Sequence, residues 1–452
     1  MNHKYTFDKF RKTPHQPLHM QIATIVIYLS FVILHTIASN YVYTTADPLI
    51  SDAGTFYYIA NNASHKLQSI EFNYLRSPGV PLIMRFILNN GVSIKTLSFI
   101  YSIFALSLPC LVGIIMYLRP VRRTGHVHLA MALSALSMLP IHYSHYYLSE
   151  LPATFFLLLY VLLFIAFMAH GHAYLGLSAG LAFGFSGLFR PELVVVSIIC
   201  SFFCILLARR LKVPHYYLPF IGLLFVYVPH SYRCSTQTNT ACLVSHNMIG
   251  NMVIGFSNAK GVNFKDGTWI PPNRDDEPNS KVLRLDIKRT DIKAGAAWIT
   301  TRILQSPLNV LKTVTKNFLD MFYSPLWPSL PNLNKYNFWL NNIIFFESTL
   351  ALVGLLSCII YFVRFRFSYP AFELTLFMII VTYFIFHCLS LGEIRYRLVI
   401  QPLLIMHLVS CFDFAAKARN SMCLGDNKKT SLYIKLIAMI PYIFTGILLR
   451  VI

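Results

Sequence analysis

The chain reads as an all-α polytopic membrane protein with about eleven spanning helices. Three observations predict that class. Of 452 residues, 56% are hydrophobic and 12% charged, where a soluble globular chain carries about 25% charged residues. Apolar runs of roughly 20 residues, enough to cross hydrocarbon, recur along the whole length and lack the alternation of barrel strands. The cations gather in alternate loops, as they do when a chain threads a membrane repeatedly.

The predicted spans are Met20–Ala38, Leu97–Leu118, Val127–Ile141, Leu151–Met168, Tyr174–Phe189 and Leu193–Ala208, then Tyr216–Pro229, Trp339–Val363, Pro370–Leu389, Leu398–Phe414 and Leu432–Leu449. The first lacks a small-residue cleavage site and reads as a start-transfer anchor. One set of loops holds Lys4, Lys9, Arg11 and Lys12, then Arg119, Arg122 and Arg123, then Arg209, Arg210 and Lys212, then Arg364 and Arg366, and last Lys417, Arg419, Lys428 and Lys429. The positive-inside rule makes that side, and with it the N-terminus, cytoplasmic. The net charge of +20 is therefore topological, and the expected partner is a lipid bilayer and no nucleic acid. Short loops suggest a bacterial inner membrane.

The acids lie on the other side. Asp47, Asp52, Glu71, Glu150, Glu192 and Glu393 stand in short outer loops or at outer helix ends. The chain divides accordingly into an N-terminal membrane module, 1–230, whose first outer loop is 39–96; a long extracytoplasmic segment, 231–338; and C-terminal membrane helices, 339–452. The long segment is polar, with Lys281–Gln305 expected as one amphipathic helix. Cys234 and Cys242 sit there, either as free thiols or as a disulfide in an oxidising compartment.

Polar groups at outer helix ends carry the candidate chemistry. Asp52, in Ser51-Asp52-Ala53, opens a helix and is either an N-cap or a working carboxylate. Beyond it come Tyr57-Tyr58 and then Arg76-Ser77-Pro78-Gly79-Val80-Pro81, after which Leu82, Ile83, Phe86 and Ile87 form one apolar face of an interfacial helix. Two such helices would roof a cavity at the lipid boundary. In the next outer loop His142 and His145 are spaced to share a helix face, and Glu150 precedes a span. Arg190-Pro191-Glu192 interrupts two apolar runs, where charge is costly enough to suggest function. Arg395-Tyr396-Arg397 precedes Pro402; its arginines either snorkel to headgroups or grip a phosphate. Asn247–Gly255, with Asn251 at its centre, is dense in Asn and Gly and suggests tight turns.

These pieces, in this order, resemble the GT-C membrane glycosyltransferases, in the bacterial branch similar to protein O-mannosyltransferases and lipid A aminoarabinose transferases. The resemblance implies an inverting hexosyl or pentosyl transfer on the extracytoplasmic face, from a polyprenyl-phosphate-linked sugar to a glycolipid or polysaccharide acceptor. It implies a first-loop acid as the base on the acceptor hydroxyl, a role that falls on Asp52 with Asp47 as second choice. Glu150 takes the acidic position of the second loop, assisting acceptor or metal, so that Asp52 and Glu150 are the candidates for a divalent metal. Arg190, Arg395, Arg397 and Arg76 are the candidates for the donor phosphate, and Tyr57, His142, His145 and Asn251 for the acceptor. Two rival readings are a transporter or flippase of lipid-linked saccharides, which predicts charges mid-span, and an O-antigen-ligase-like transferase centred on Arg and His of the long loop.

Overall fold

A computed structural model describes residues 18–38, 47–49, 52–62, 76–119, 124–238, 241–245, 247–257, 261–265, 269–270, 282–288, 291–324, 334–365, 371–390 and 392–422. The helices in chain order are α1 (Leu18–Ile37), α2 (Asp52–Asn62), α3 (Gly79–Asn89), α4 (Thr96–Leu118), α5 (Thr124–Ala135) and α6 (Met138–Ser144), followed by α7 (Glu150–His170), α8 (Ala173–Phe189), α9 (Glu192–Arg210) and α10 (Leu218–Thr238). After α11 (Asn247–Ser257) come three short strands, β1 (Gly261–Phe264), β2 (Trp269–Ile270) and β3 (Val282–Leu285). Helices α12 (Ile292–Gln305), α13 (Pro307–Tyr323), α14 (Asn334–Phe365), α15 (Ala371–Leu389) and α16 (Ile394–Met422) complete the described chain.

Among the described residues, four helices are long and apolar enough to cross a membrane: Thr96–Leu118, Glu150–His170, Glu192–Arg210 and Asn342–Ile359. Four shorter apolar helices, Ile22–Ile37, Gly79–Asn89, Ala173–Phe189 and Glu373–Leu389, accompany them. The chain is a multi-pass membrane protein. The expected span Leu432–Leu449 lies outside the described residues. The expected span Val127–Ile141 is not one helix: it breaks into α5 and α6, because the Ser137 hydroxyl and the Met138 N–H both donate to Glu347 on α14.

Packing follows the small residues. Helix α8 lies against α7 and α10, and Gly180 and Gly222 set the second crossing. A methyl group on Gly180 would sit 1.9 Å from the Pro219 carbonyl oxygen, and one on Gly222 2.3 Å from that of Leu177. Such close backbone approach drives helix association where lipid offers no hydrophobic force.

The segment between α10 and α14 departs from the all-α expectation. Strand β1 pairs antiparallel with β2 and parallel with β3, in the order β2-β1-β3. Val262 and Phe264 point into a small core with Ile249, Val253, Phe256, Leu285 and Ile299. Lys281–Gln305 is likewise not one helix. Residues 283–285 alternate, with Leu285 buried and Arg284 exposed, which is strand periodicity. Helix α12 starts only at Ile292, capped by the Asp291 carboxylate accepting from the Ala294 N–H at 2.9 Å. Asn247–Gly255 forms helix α11 and not a series of turns, because Ile249, Val253 and Phe256 recur on one face and bury it. Cys234 and Cys242 form a disulfide.

The helix interior holds two charged networks that the apolar runs conceal. At one end of the bundle, buried Arg119 after α4 donates to both Glu373 oxygens and to the Met406 carbonyl, joining α4, α15 and α16. Near the other end, Arg397 donates to Ser348 Oγ at 2.5 Å and Gln401 Oε1 at 2.9 Å; Gln401 in turn donates to Glu347 Oε2 at 3.0 Å.

Candidate active site

The helices that carry the site open at the end of the bundle away from Arg119. Helices α2, α7 and α9 open on Asp52, Glu150 and Glu192, and a negative charge is favoured there by the unpaired N–H groups and the helix dipole. Helix α16 opens on Ile394-Arg395, a cation where the dipole opposes one, so those acids supply what its own helix lacks. Pro191 sets the geometry of a further pair. Lacking an N–H, it cannot continue α8, and Arg190 before it is extended, at φ −131° and ψ 108°, as a residue preceding proline prefers. The corner brings Arg190 and Glu192 to one point, with Arg190 Nη2 donating to Glu192 Oε1 at 2.5 Å.

The result is an alternating array of three guanidiniums and four carboxylates. Asp52 Oδ1 lies 2.9 Å from Arg76 Nη2, and its Oδ2 accepts from Arg395 Nη1 at 3.0 Å. Glu150 Oε1 accepts from Arg190 Nη1 at 3.0 Å and lies 3.7 Å from Arg395 Nε. Glu393 Oε2 lies 2.6 Å from that same Nε. Both inner arginines lie near the Tyr396 ring, with the Arg190 guanidinium carbon 4.5 Å and that of Arg395 4.9 Å from its centre, within cation–π range. Its hydroxyl accepts from Arg395 Nη2 at 3.0 Å, and His387 stacks on its ring at 4.6 Å.

The loops that carry these groups are pinned. Tyr101 donates its hydroxyl to the Leu148 carbonyl at 2.7 Å, and Ser98 bonds the Tyr147 hydroxyl at 2.7 Å, fixing the approach to Glu150. Asn317 of α13 donates to the carbonyls of Cys388 and Ser390 at 3.0 Å each. The Ile394 N–H donates to Ser324 Oγ at 2.8 Å. Gly392 and Gly255 admit this contact: a methyl group on Gly392 would lie 1.8 Å from the Asn317 carbonyl oxygen, and one on Gly255 1.4 Å from that of Ser390.

Of the residues singled out in the sequence, Asp52, Arg76, Glu150, Arg190 and Arg395 meet here. Asp52 is no simple cap, since both of its oxygens face guanidiniums. Arg397 is not among them: it is wholly buried and turned toward Ser348 and Gln401, because two residues along a helix rotate a side chain by roughly 200°. Asp47 instead accepts from the Leu49 N–H at 2.9 Å. His142 is buried among the rings of Tyr143 and Tyr146. His145 Nδ1 meets the Ile141 carbonyl at 2.8 Å, and its ring lies beside His35. Tyr57 packs half-buried on the core, and Asn251 lies half-buried on α11. Glu192, Glu393 and Tyr396 belong to the array too; Glu192 lies in the charged interruption that suggests function, whereas Glu393 and Tyr396 carry no assigned role in the sequence reading. Their signal was adjacency, since each lies within two residues of an arginine already chosen.

Burial alone would raise the Asp52 pKa, but Arg76 and Arg395 hold it down to about 2. Glu393 goes the other way: burial raises it above the ordinary glutamate value, with Arg395 opposing. Among the described residues no group of three or more His, Cys, Asp or Glu is placed to hold a metal ion. Asp52 gives both oxygens to arginines, and Glu150 gives one to arginines and the other to the Ser149 hydroxyl at 3.5 Å. In this arrangement the two do not fit a divalent metal.

No protein-family model matches the chain, and no curated protein matches it. Solved structures do. The chain is similar to the Archaeoglobus fulgidus oligosaccharyltransferase tethered with an acceptor peptide containing the NVT sequon, with a TM-score of 0.51 at 14% identity over 94% of this chain and 54% of that one. The chain shares its fold with the aligned part of that oligosaccharyltransferase. The archaeal oligosaccharyltransferase AglB of the same organism, in complex with an inhibitory peptide and a dolichol-phosphate, aligns with a TM-score of 0.49 at 15% identity, again over 94% and 54%. The chain spans about half the length of these oligosaccharyltransferases.

Proposed function

We propose that the protein is an inverting glycosyltransferase that moves a hexose or pentose from a polyprenyl-phosphate donor to a cell-surface glycolipid or polysaccharide on the extracytoplasmic face. The observation that carries this reading is the pair of guanidiniums, Arg190 and Arg395, held near the Tyr396 ring amid carboxylates at one end of the bundle. Transfer from a phosphate-linked donor needs two things: cations where phosphate charge develops as it leaves and a carboxylate to take the acceptor's proton. The array holds both residue types within hydrogen-bond reach of one another. Arg76, 30% exposed on its side chain, offers a third cation on the open side. A transporter would want its charges mid-bundle along a path. The two interior networks instead tie helices together, and the open charges gather at one end.

The test compares surface glycans, by mass spectrometry, in a strain lacking the gene and complemented with wild type, Asp52→Asn or Glu150→Gln, each checked for expression. Restoration of a hexose- or pentose-sized mass by wild type and by neither variant is expected. Full restoration by both variants would remove the array from the chemistry.

A further inference from the structure

The four carboxylates of the array are not equivalent, and the transferase reading, on which this inference rests, leaves open which of them handles the acceptor's proton. Glu150 and Glu192 are sealed, with side chains 1% and 6% exposed. Asp52 is 19% exposed, but each oxygen already faces a guanidinium. Glu393 is 15% exposed and commits one oxygen only: Oε2 pairs with Arg395 Nε, while Oε1 meets no donor among the described residues. Its backbone is fixed as well. The Glu393 carbonyl accepts from the Tyr396 N–H at 3.0 Å, and the Gly392 backbone lies flush against Asn317.

We propose that Glu393 is the catalytic base, accepting the acceptor hydroxyl's proton on Oε1, and that Asp52 is a positioning residue that aligns Arg76 and Arg395. The acceptor oxygen forms its bond to the anomeric carbon of the donor sugar as the bond from that carbon to the phosphate oxygen breaks. The bonding pair leaves on the phosphate, beside Arg190 and Arg395. The hydroxyl proton ends on Glu393 and passes on to water or to the released phosphate.

The protonation behaviour agrees with the geometry. A base works best with a pKa near the operating pH; burial moves Glu393 up toward it, whereas two arginines hold Asp52 at about 2. The charged and titratable groups around Glu393 are Arg395 and Tyr396 on α16, Asp52 on α2, Glu150 on α7, Tyr143 on α6 and Arg190 at the end of α8. Among the described residues only Arg395 pairs with it directly.

The experiment measures glycan product against pH in membranes from a strain lacking the native gene and expressing the full chain, with the cell's own donor and acceptor. Wild type should lose activity on the acid side with a midpoint above 4.5, the ordinary glutamate value. Glu393→Gln should lower the rate at least about 100-fold, the usual contribution of a base. Glu393→Asp should keep a measurable rate and an acid limb, and Asp52→Asn should lower the rate while leaving that limb in place. Glu393→Gln retaining more than a tenth of the rate overturns the assignment, as does an acid limb that disappears with Asp52→Asn. If Glu393→Gln is absent from the membrane, loss of the limb in Glu393→Asp overturns it and retention supports it. Wild-type membranes that make no glycosylated product overturn the transferase reading itself.

Discussion

Tyr396 shows how much one side chain organises. Two guanidiniums lie within cation–π range of its ring, and its hydroxyl accepts from Arg395 and fixes that side chain's orientation. Each cation–π contact at a desolvated site is worth up to about 2 kcal/mol. Tyr396→Leu is therefore expected to raise the donor concentration for half-maximal transfer by about 10–100-fold, with little change in rate at saturation. Tyr396→Phe, which keeps the ring, should lie close to wild type. An equal fall in saturated rate for both variants would assign the ring to packing alone. The residues legible in the sequence were those whose polarity had no structural excuse, namely Asp52, Glu150, Arg190 and Arg395 at helix ends. Arg397 read the same way and proved different, because its partner Ser348 is 49 residues upstream and sequence order does not reveal which helix face meets which neighbour.

Among elements, the junction between α11, α13 and the turn before α16 governs the array. Three backbones meet there without intervening side chains, so Gly255 has nowhere to put a methyl group. Gly255→Ala should destabilise the chain by at least about 3 kcal/mol, the upper range for overpacking against structure that cannot give way. Gly125→Ala, at a position with nothing within 4 Å, is the matched control. Thermal unfolding in detergent separates them, and equal melting temperatures would show the junction to be loose. Most helices could be read from apolar runs because length in hydrocarbon leaves little choice of structure. The break between α5 and α6 could not, since it depends on Glu347 reaching across from α14. Nor could the strands, which are four residues or fewer and owe their pairing to contacts outside their own sequence.

For the whole molecule, the array and the Arg119–Glu373 pair lie at opposite ends of the bundle. The disulfide Cys234–Cys242 belongs to the end of the array, at the far tip of α10. If that end faces an oxidising compartment, a membrane-impermeant maleimide applied to intact cells should label Leu243→Cys, which is exposed. Arg210→Cys, at the end of α9, should react only after permeabilisation. The reverse pattern would turn the orientation over and place the array in the cytoplasm.

The array also has a charge ledger. Asp52, Glu150, Glu192 and Glu393 face Arg76, Arg190 and Arg395, so with every group ionised the site is already one negative charge in excess. A phosphate cannot simply be added to such a place. In the proposed reaction the donor phosphate would have to compete with these carboxylates for Arg190 and Arg395. The resting site is its own competitor for an anion.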